Sequence, residues 1–177
     1  MAANRSDGPE HGNGFAVALL VCSDRAAQGS RADATADLLR PLLAARGHRL
    51  QTVRVEPDER DRIEAALREL ARTHVLVLTT GGTGLAPRDV TVEATRAVVE
   101  REVPGFGEAM RARSLASTPM AMLSRATAGT LGSSLIVNLP GSPSGAAECL
   151  EVVLPAVGHA ARLLRGAVQD CKEEAKS

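Results

Sequence analysis

The chain has 177 residues, and its 21 basic and 21 acidic side chains give a formal charge of +0. That balance excludes the global basic field of a nucleic-acid binder. Aromatics at 1%, Phe15 and Phe106 alone, leave no stacking platform for single strands. With 44% hydrophobic and 24% charged residues, wholesale disorder is excluded too, and one domain with its own core is expected.

Cys22, Cys149 and Cys171 form no C-x-x-C pair, which predicts free thiols and a reducing, cytoplasmic setting. His11, His48, His74 and His159 lack zinc-ligand spacing. No apolar run reaches membrane-spanning length. Residues 1–13 are polar and carry no apolar core of a secretory signal, so they are expected to form a mobile arm. Residues 168–177 read as a charged tail, which leaves 14–167 as the folded domain.

Residues 15–22 (FAVALLVC) are continuously apolar, as a strand buried on both faces must be. Residues 23–31 read as a polar loop. A helix is predicted over 33–46, with Leu38, Leu42 and Ala45 inward, Pro41 kinking or breaking it, and Gly47 as its stop. A strand over 49–56 carries Leu50, Val53 and Val55. Pro57 and Asp58 turn the chain, and Asp58 or Asp61 is placed to cap the next helix. Ile63, Ala66, Leu67 and Leu70 follow the i, i+3, i+4, i+7 pattern there. Residues 74–80 form a third strand. A helix capped by Thr91 is predicted to reach about residue 102, where Pro104 and Gly105 break the chain before a helix over 107–115. Residues 117–133 hold a short helix and a strand. Residues 134–139 are a strand, followed by a helical stretch to about 165 that Pro155 divides. Met110, Met120 and Met122 read as core or interface filler.

Strand–helix alternation predicts an α/β fold, a three-layer α/β/α domain with a mostly parallel sheet. Ligands of open α/β sheets bind beyond the carboxyl ends of the strands. The loops after residues 22, 80 and 139 should therefore meet.

Those loops carry chemistry. In TTGGTGLAPRDVT (79–91) the glycines let successive N–H groups turn inward as an anion nest, and a helix start follows. A plain reversing turn is the alternative. No G-K-[ST] and no G-x-G-x-x-G is present. In NLPGSPSG (138–145), Gly141 permits close backbone approach, Ser142 and Ser144 offer hydroxyls, and Ser144 could equally cap a helix. Asp24, Asp58 and Asp89 follow strand ends, and carboxylates beside phosphates imply a cation such as Mg²⁺ between them. Arg25, Arg88 and Arg125 suit either phosphate or ion pairs. Glu108 could accept hydrogen bonds from a heterocycle or serve as a helix N-terminal acid. Phe106 reads as packing.

The motifs SDRA-x-x-G (23–29), PDE (57–59), TTGGTG-x-x-x-RDVT (79–91), EVPGFGEAMR (102–111), LSR (123–125) and LIVNLPGSP (135–143) occur in one order. In that order the chain resembles the MogA/MoaB family of molybdenum-cofactor biosynthesis, the molybdopterin adenylyltransferases, from about Phe15 to Arg165. The resemblance implies a molybdopterin-binding-like fold, commonly trimeric. It also implies transfer of AMP from Mg-ATP to the terminal phosphate of molybdopterin, with release of pyrophosphate and delivery of the product to a molybdenum insertase. The family's acids fall on Asp58 and Asp89, expected to be catalytic and to hold Mg²⁺. Its TTGGTG loop falls on Thr79 to Gly84 and its PGSP loop on Pro140 to Pro143. Thr80, Gly81, Gly82, Thr83 and Gly84 and Pro140, Gly141 and Ser142 are therefore expected to bind substrate, holding phosphates or the dithiolene end. Ser23, Asp24 and Glu108 are expected to shape the pterin or nucleotide pocket. The chain departs from the family's usual pattern at Leu131 and Ser144, where a basic residue is common. The alternative that follows is a non-catalytic molybdopterin-binding carrier or scaffold module.

Overall fold

The most apolar runs of the sequence become the strands at the centre of one sheet. The computed structural model describes residues 14–29 and 33–166. The expected arm, the expected tail and Cys171 lie outside the described residues. β1 (Ala16–Cys22), β3 (Leu76–Thr80) and β6 (Ser134–Leu139) are the most apolar strands, and they form the sheet centre. β2 (Arg49–Glu56), with exposed positions along it, lies at one edge. β4 (Arg101–Glu102) and β5 (Ala128–Leu131) close the other, in the order β2-β1-β3-β6-β5-β4. β1, β2, β3 and β6 run parallel, whereas β5 pairs antiparallel with β6 and β4. The sheet is therefore mostly parallel, as expected.

Period-two alternation splits the core. Val17, Leu19 and Val21 of β1 face the cluster built with α2 (Asp33–Ala44), α5 (Pro104–Leu115) and α6 (Pro143–Leu164). Ala18, Leu20 and Cys22 face α3 (Arg60–Ala71) and α4 (Thr91–Val98). Helices thus cover both faces, giving the three layers that βαβ crossovers require. Ile63, Ala66, Leu67 and Leu70 are all buried, as their spacing predicts.

Several local expectations need correction. The loop after β1 contains a one-turn helix, α1 (Asp24–Ala27), where the Ser23 hydroxyl accepts from Ala26 N at 3.3 Å. The buried face of α2 is Ala36, Leu39 and Leu43, while Leu38 is exposed, so the phase is shifted by one residue. Pro41 and Pro155 stay inside continuous helices. The carbonyls they deprive of a donor belong to Asp37 and Glu151, exposed residues that water can serve. α4 starts after Val90, has no side-chain cap and ends at Val98, because Glu100 N and Val103 N donate to Thr130 O and Ala128 O and draw the chain into β4. Pro104 occupies the first turn of α5, a position where its missing N–H costs nothing. α6 is capped by Ser142, not Ser144, and Gly145 N donates to the Ser142 hydroxyl at 3.3 Å. Met110 is core, and Met120 and Met122 are exposed.

Register positions the site. Val21 aligns with Thr80, Thr80 with Leu139, and Cys22 with Glu56. The four parallel strands end level, so the segments starting at Ser23, Pro57, Gly81 and Pro140 emerge side by side.

Candidate functional site

Backbone contact knits these segments together. Ser23 N donates to Glu56 O at 2.9 Å. Gly81 has φ +94°, and a Cβ there would lie 2.2 Å from the Cys22 carbonyl oxygen. A Cβ on Gly141 would lie 3.2 Å from Gly81 Cα. Only glycine allows the first and third loops to touch the second this closely.

The junction opens into a cleft of about 820 Å³, lined by Ser23, Asp24, Asp58, Thr80, Gly81, Gly82 and Gly141. A second cavity of about 290 Å³ borders the same two glycine loops through Thr83, Gly84, Pro140 and Ser142. Its far wall includes Met110, Ser114, Leu123 and Cys149. One side of the loops is thus rich in carboxylate and backbone, and the other is largely apolar.

Two carboxylates lock the cleft. Asp24 N donates to Asp58 Oδ2 at 3.0 Å, and Asp58 N donates to Asp24 Oδ1 at 3.1 Å. This reciprocal pair joins the ends of β1 and β2. Asp58 is therefore spent on tertiary structure and does not cap α3, whose cap residue Glu59 makes no side-chain cap bond. The Arg88 guanidinium grips Asp24 with two bonds, Nε at 3.0 Å and Nη2 at 2.7 Å. That grip, then the Asp58 N–H, holds Asp24 below the usual carboxylate range. Asp58 is shifted the other way. Burial raises it most, and the charges of Asp24 and Asp89 add to the rise. Its Oδ1 is buried without a hydrogen-bond partner.

Asp89 sits on the loop after the glycines. Its Oδ2 accepts from Ala86 N at 2.8 Å, and its charge reaches Asp58 although it lines neither cavity. Arg125 does not face the cleft; its side chain binds Gly84 O, Asp89 O and the Glu93 carboxylate. Cys22 lines the cleft, but burial pushes its thiol up to about 12, so it is no nucleophile at neutral pH. Glu108 is exposed on α5 and lines neither cavity. The structure thus brings together Ser23, Asp24, Asp58, Thr80, Gly81, Gly82 and Gly141, places Thr83, Gly84, Pro140 and Ser142 on the adjoining cavity, and leaves Glu108 apart.

Sequence reasoning missed Asn138. Its side-chain amide donates to Thr79 Oγ1 at 2.9 Å and Thr95 Oγ1 at 2.8 Å, wholly buried beneath the two loops. A polar residue in the apolar strand SLIVNL was the available signal.

Residues 18–159 match the family described as probable molybdopterin binding domain. The chain belongs to this family. A protein of Helicobacter pylori named molybdopterin adenylyltransferase is 40% identical over 164 residues, covering 89% of this chain and 92% of the relative. The protein of that name from Escherichia coli K12 is 45% identical over 152 residues, covering 83% of this chain and 77% of its own. A crystal structure of the molybdopterin biosynthesis enzyme MoaB from Thermus thermophilus superposes with a TM-score of 0.80 at 49% identity, over 86% of this chain and 97% of that one.

The resemblance read from the sequence implies a divalent cation, and the oxygen donors present are of the kind that fits one. Asp58 Oδ1 is a buried oxygen with no donor, and Asp89 is a second hard oxygen donor near enough to perturb it. Among the described residues no group of three or more His, Cys, Asp or Glu is gathered. A pair of carboxylates completed by substrate phosphates and water is the usual environment of Mg²⁺. Of the two departures from the family's pattern, Leu131 packs against the α3–α4 core cluster and Ser144 is exposed on α6. Neither lines the cleft or the adjoining cavity.

Proposed function

We propose that this chain is a molybdopterin adenylyltransferase that transfers AMP from Mg-ATP to the terminal phosphate of molybdopterin and releases pyrophosphate. The observation that carries the reading is Asp58: a carboxylate fixed by a reciprocal bond to Asp24, with one buried oxygen unpartnered, beside two backbone loops that touch. A terminal phosphate oxygen of molybdopterin attacks the α-phosphorus of ATP. The bond from that phosphorus to the bridging oxygen breaks, and pyrophosphate leaves with the electron pair. No covalent protein intermediate is needed. Catalysis comes from positioning and charge stabilisation.

Asp58 and Asp89 are the residues that hold Mg²⁺. The ion, when bound, screens the triphosphate and the charge that builds on the leaving group. The backbone N–H groups of residues 81–84 and of 141–142 bind phosphate oxygens, and the Ser142 hydroxyl adds a donor. Ser23 and Thr80 border the same cleft and orient the phosphates. The apolar cavity beyond Thr83 and Pro140 takes a ring system. Glu108, exposed on α5, has no part in this reading.

We further propose a cytoplasmic homotrimer that hands its product to a molybdenum insertase. Buried free thiols at Cys22 and Cys149 support the reducing compartment. Leu115, Met120, Met122 and Leu123 form an exposed apolar group around α5 and the 3-10 turn Pro119–Leu123, which supports burial between subunits. An adenylylated phosphate is an activated group and requires an acceptor that consumes it. Among the described residues no helix is long and apolar enough to cross a membrane.

The test is turnover of purified protein with molybdopterin and Mg-ATP, following pyrophosphate and the mass of the adenylylated pterin. The chain has no Trp or Tyr, so pterin fluorescence reports binding in the same sample. Magnesium-dependent product is expected. Tight pterin binding without product would replace the enzyme with the carrier reading.

A further inference from the structure

Arg125 is the residue whose observed role departs most from its place in the sequence. It lies in a segment of small and apolar residues, and phosphate binding is one role its charge suggests. In the structure each of its outer guanidinium nitrogens, and Nε, is committed to protein oxygen. Nε donates to Gly84 O at 2.6 Å, Nη2 to Asp89 O at 2.6 Å, and Nη1 to the Glu93 carboxylate. Its own backbone N–H donates to Thr83 O at 2.9 Å. The Arg125 side chain lines neither the cleft nor the adjoining cavity.

These four bonds hold both ends of the loop 84–89 and the first turn of α4. Within the loop, Asp89 N donates to Ala86 O at 2.9 Å and the Asp89 carboxylate accepts from Ala86 N. The loop is closed on itself, and Arg88 ties it to Asp24 as well. We infer that Arg125 is a positioning residue that clamps the Gly84–Asp89 loop and so sets where the Asp89 carboxylate stands relative to Asp58. The inference rests on the adenylyltransferase reading for its consequence, but the clamp itself does not.

A planar fork is required. Lysine keeps the charge yet has one nitrogen, which cannot reach three acceptors that diverge along the loop. Arg125→Lys therefore frees two carbonyls, and the loop with them. Glu93→Gln weakens the third anchor without touching the cleft.

Two measurements decide it. In Arg125→Lys, amide exchange at residues 84–91 accelerates about tenfold or more while exchange in β1 is unchanged. In turnover, kcat falls about 10–100-fold, as expected for a misplaced group, and the Mg²⁺ concentration for half-maximal rate rises about tenfold. KM for molybdopterin stays within about twofold of wild type by the same reasoning. Glu93→Gln shows the same pattern more weakly, and the double variant is no worse than Arg125→Lys, because both act on one contact. Unchanged exchange at 84–91 overturns the clamp. So does a raised KM for ATP with loop protection intact, which would make Arg125 a phosphate ligand. Should wild-type protein give no product at all, the adenylyltransferase reading fails, and the exchange arm still decides the clamp.

Discussion

Asp58→Asn should make the protein more stable and inactive at once. In the folded chain Asp58 is held among like charges: Asp24 is bonded to it reciprocally, and Asp89 adds to the same unfavourable field. Burial is the larger cost, and both raise its pKa from an ordinary value of 3.8. The substitution keeps what Asp58 contributes to structure, since an asparagine oxygen still accepts from Asp24 N. It exchanges one unpartnered buried atom, Oδ1, for another, the amide nitrogen. What disappears is a charge the fold tolerates poorly. Relief of that kind is worth about 0.5–2 kcal/mol, or a rise in Tm of about 2–6 °C for a chain of this size. The sign depends on pH. A carboxyl raised in the folded state binds more protons there than when unfolded, so wild-type stability from this group is present in acid and lost as pH rises through the raised value. The advantage of Asp58→Asn should therefore be largest near neutrality and vanish toward pH 3.8 and below. Scanning calorimetry across that range measures it, with pyrophosphate release on the same samples. A Tm below wild type at neutral pH would refute the strain argument. Retained turnover in a stable variant would remove Asp58 from the reaction.

The remaining predictions concern the loops. Asp89→Asn should abolish pyrophosphate release while pterin binding, followed by fluorescence, stays within about threefold of wild type. Gly81→Ala should cost about 2–4 kcal/mol in denaturant melts, because φ is +94° and the new Cβ meets the Cys22 carbonyl at 2.2 Å. It should also separate the first two loops and lower turnover. Asn138→Ala removes two buried hydrogen bonds, to Thr79 and Thr95, and should cost about 2–3 kcal/mol in the same melts. Lowering pH should weaken the Asp24–Arg88 tie, because Asp24 is held below its ordinary value and that stabilisation is lost as pH falls through the depressed value. Protection factors of amides in residues 24–29, taken against the intrinsic rate at each pH, should fall in acid accordingly.

Much of the fold was legible because its signals are local. The run 134–139 is bounded by Gly132 at φ +55° and by Pro140, and the strand found there has those bounds. Parallel strands buried on both faces need uninterrupted apolar residues, which is what 16–22 and 76–80 supply. The misplaced pieces have competing tertiary partners. A sequence with helical spacing through residue 102 gave no sign that Thr130 and Ala128 would take Glu100 and Val103 into an edge strand. Pro41 and Pro155 looked like breaks because solvent on the exposed face of a packed helix is invisible to spacing.

The site was legible in its loops and not in its wiring. Glycines after apolar strands announce close backbone approach, and Gly81 against Cys22 and Gly141 against Gly81 make it. The reciprocal bond between Asp24 and Asp58 spans 34 positions, and the Arg125 contacts to Gly84 and Asp89 span 41 and 36. No periodicity carries such pairs. The same limit governs the two departures at Leu131 and Ser144. In the sequence each looks like a positive charge lost from an anion site. In the fold, Leu131 belongs to the β5–β6 hairpin and packs on the α3–α4 core, while Ser144 points out from the first turn of α6. Loss of charge at an exposed position weakens long-range attraction, which salt screens over about 10 Å, and leaves short-range positioning untouched. In the adenylyltransferase reading, an uncharged residue at these places slows capture of the anionic substrates at low salt and leaves kcat unchanged. Ser144→Lys tests this directly: kcat/KM should rise at low ionic strength and return to the parent value in high salt. A rise in kcat itself would mean that the missing charge had belonged to the reacting centre.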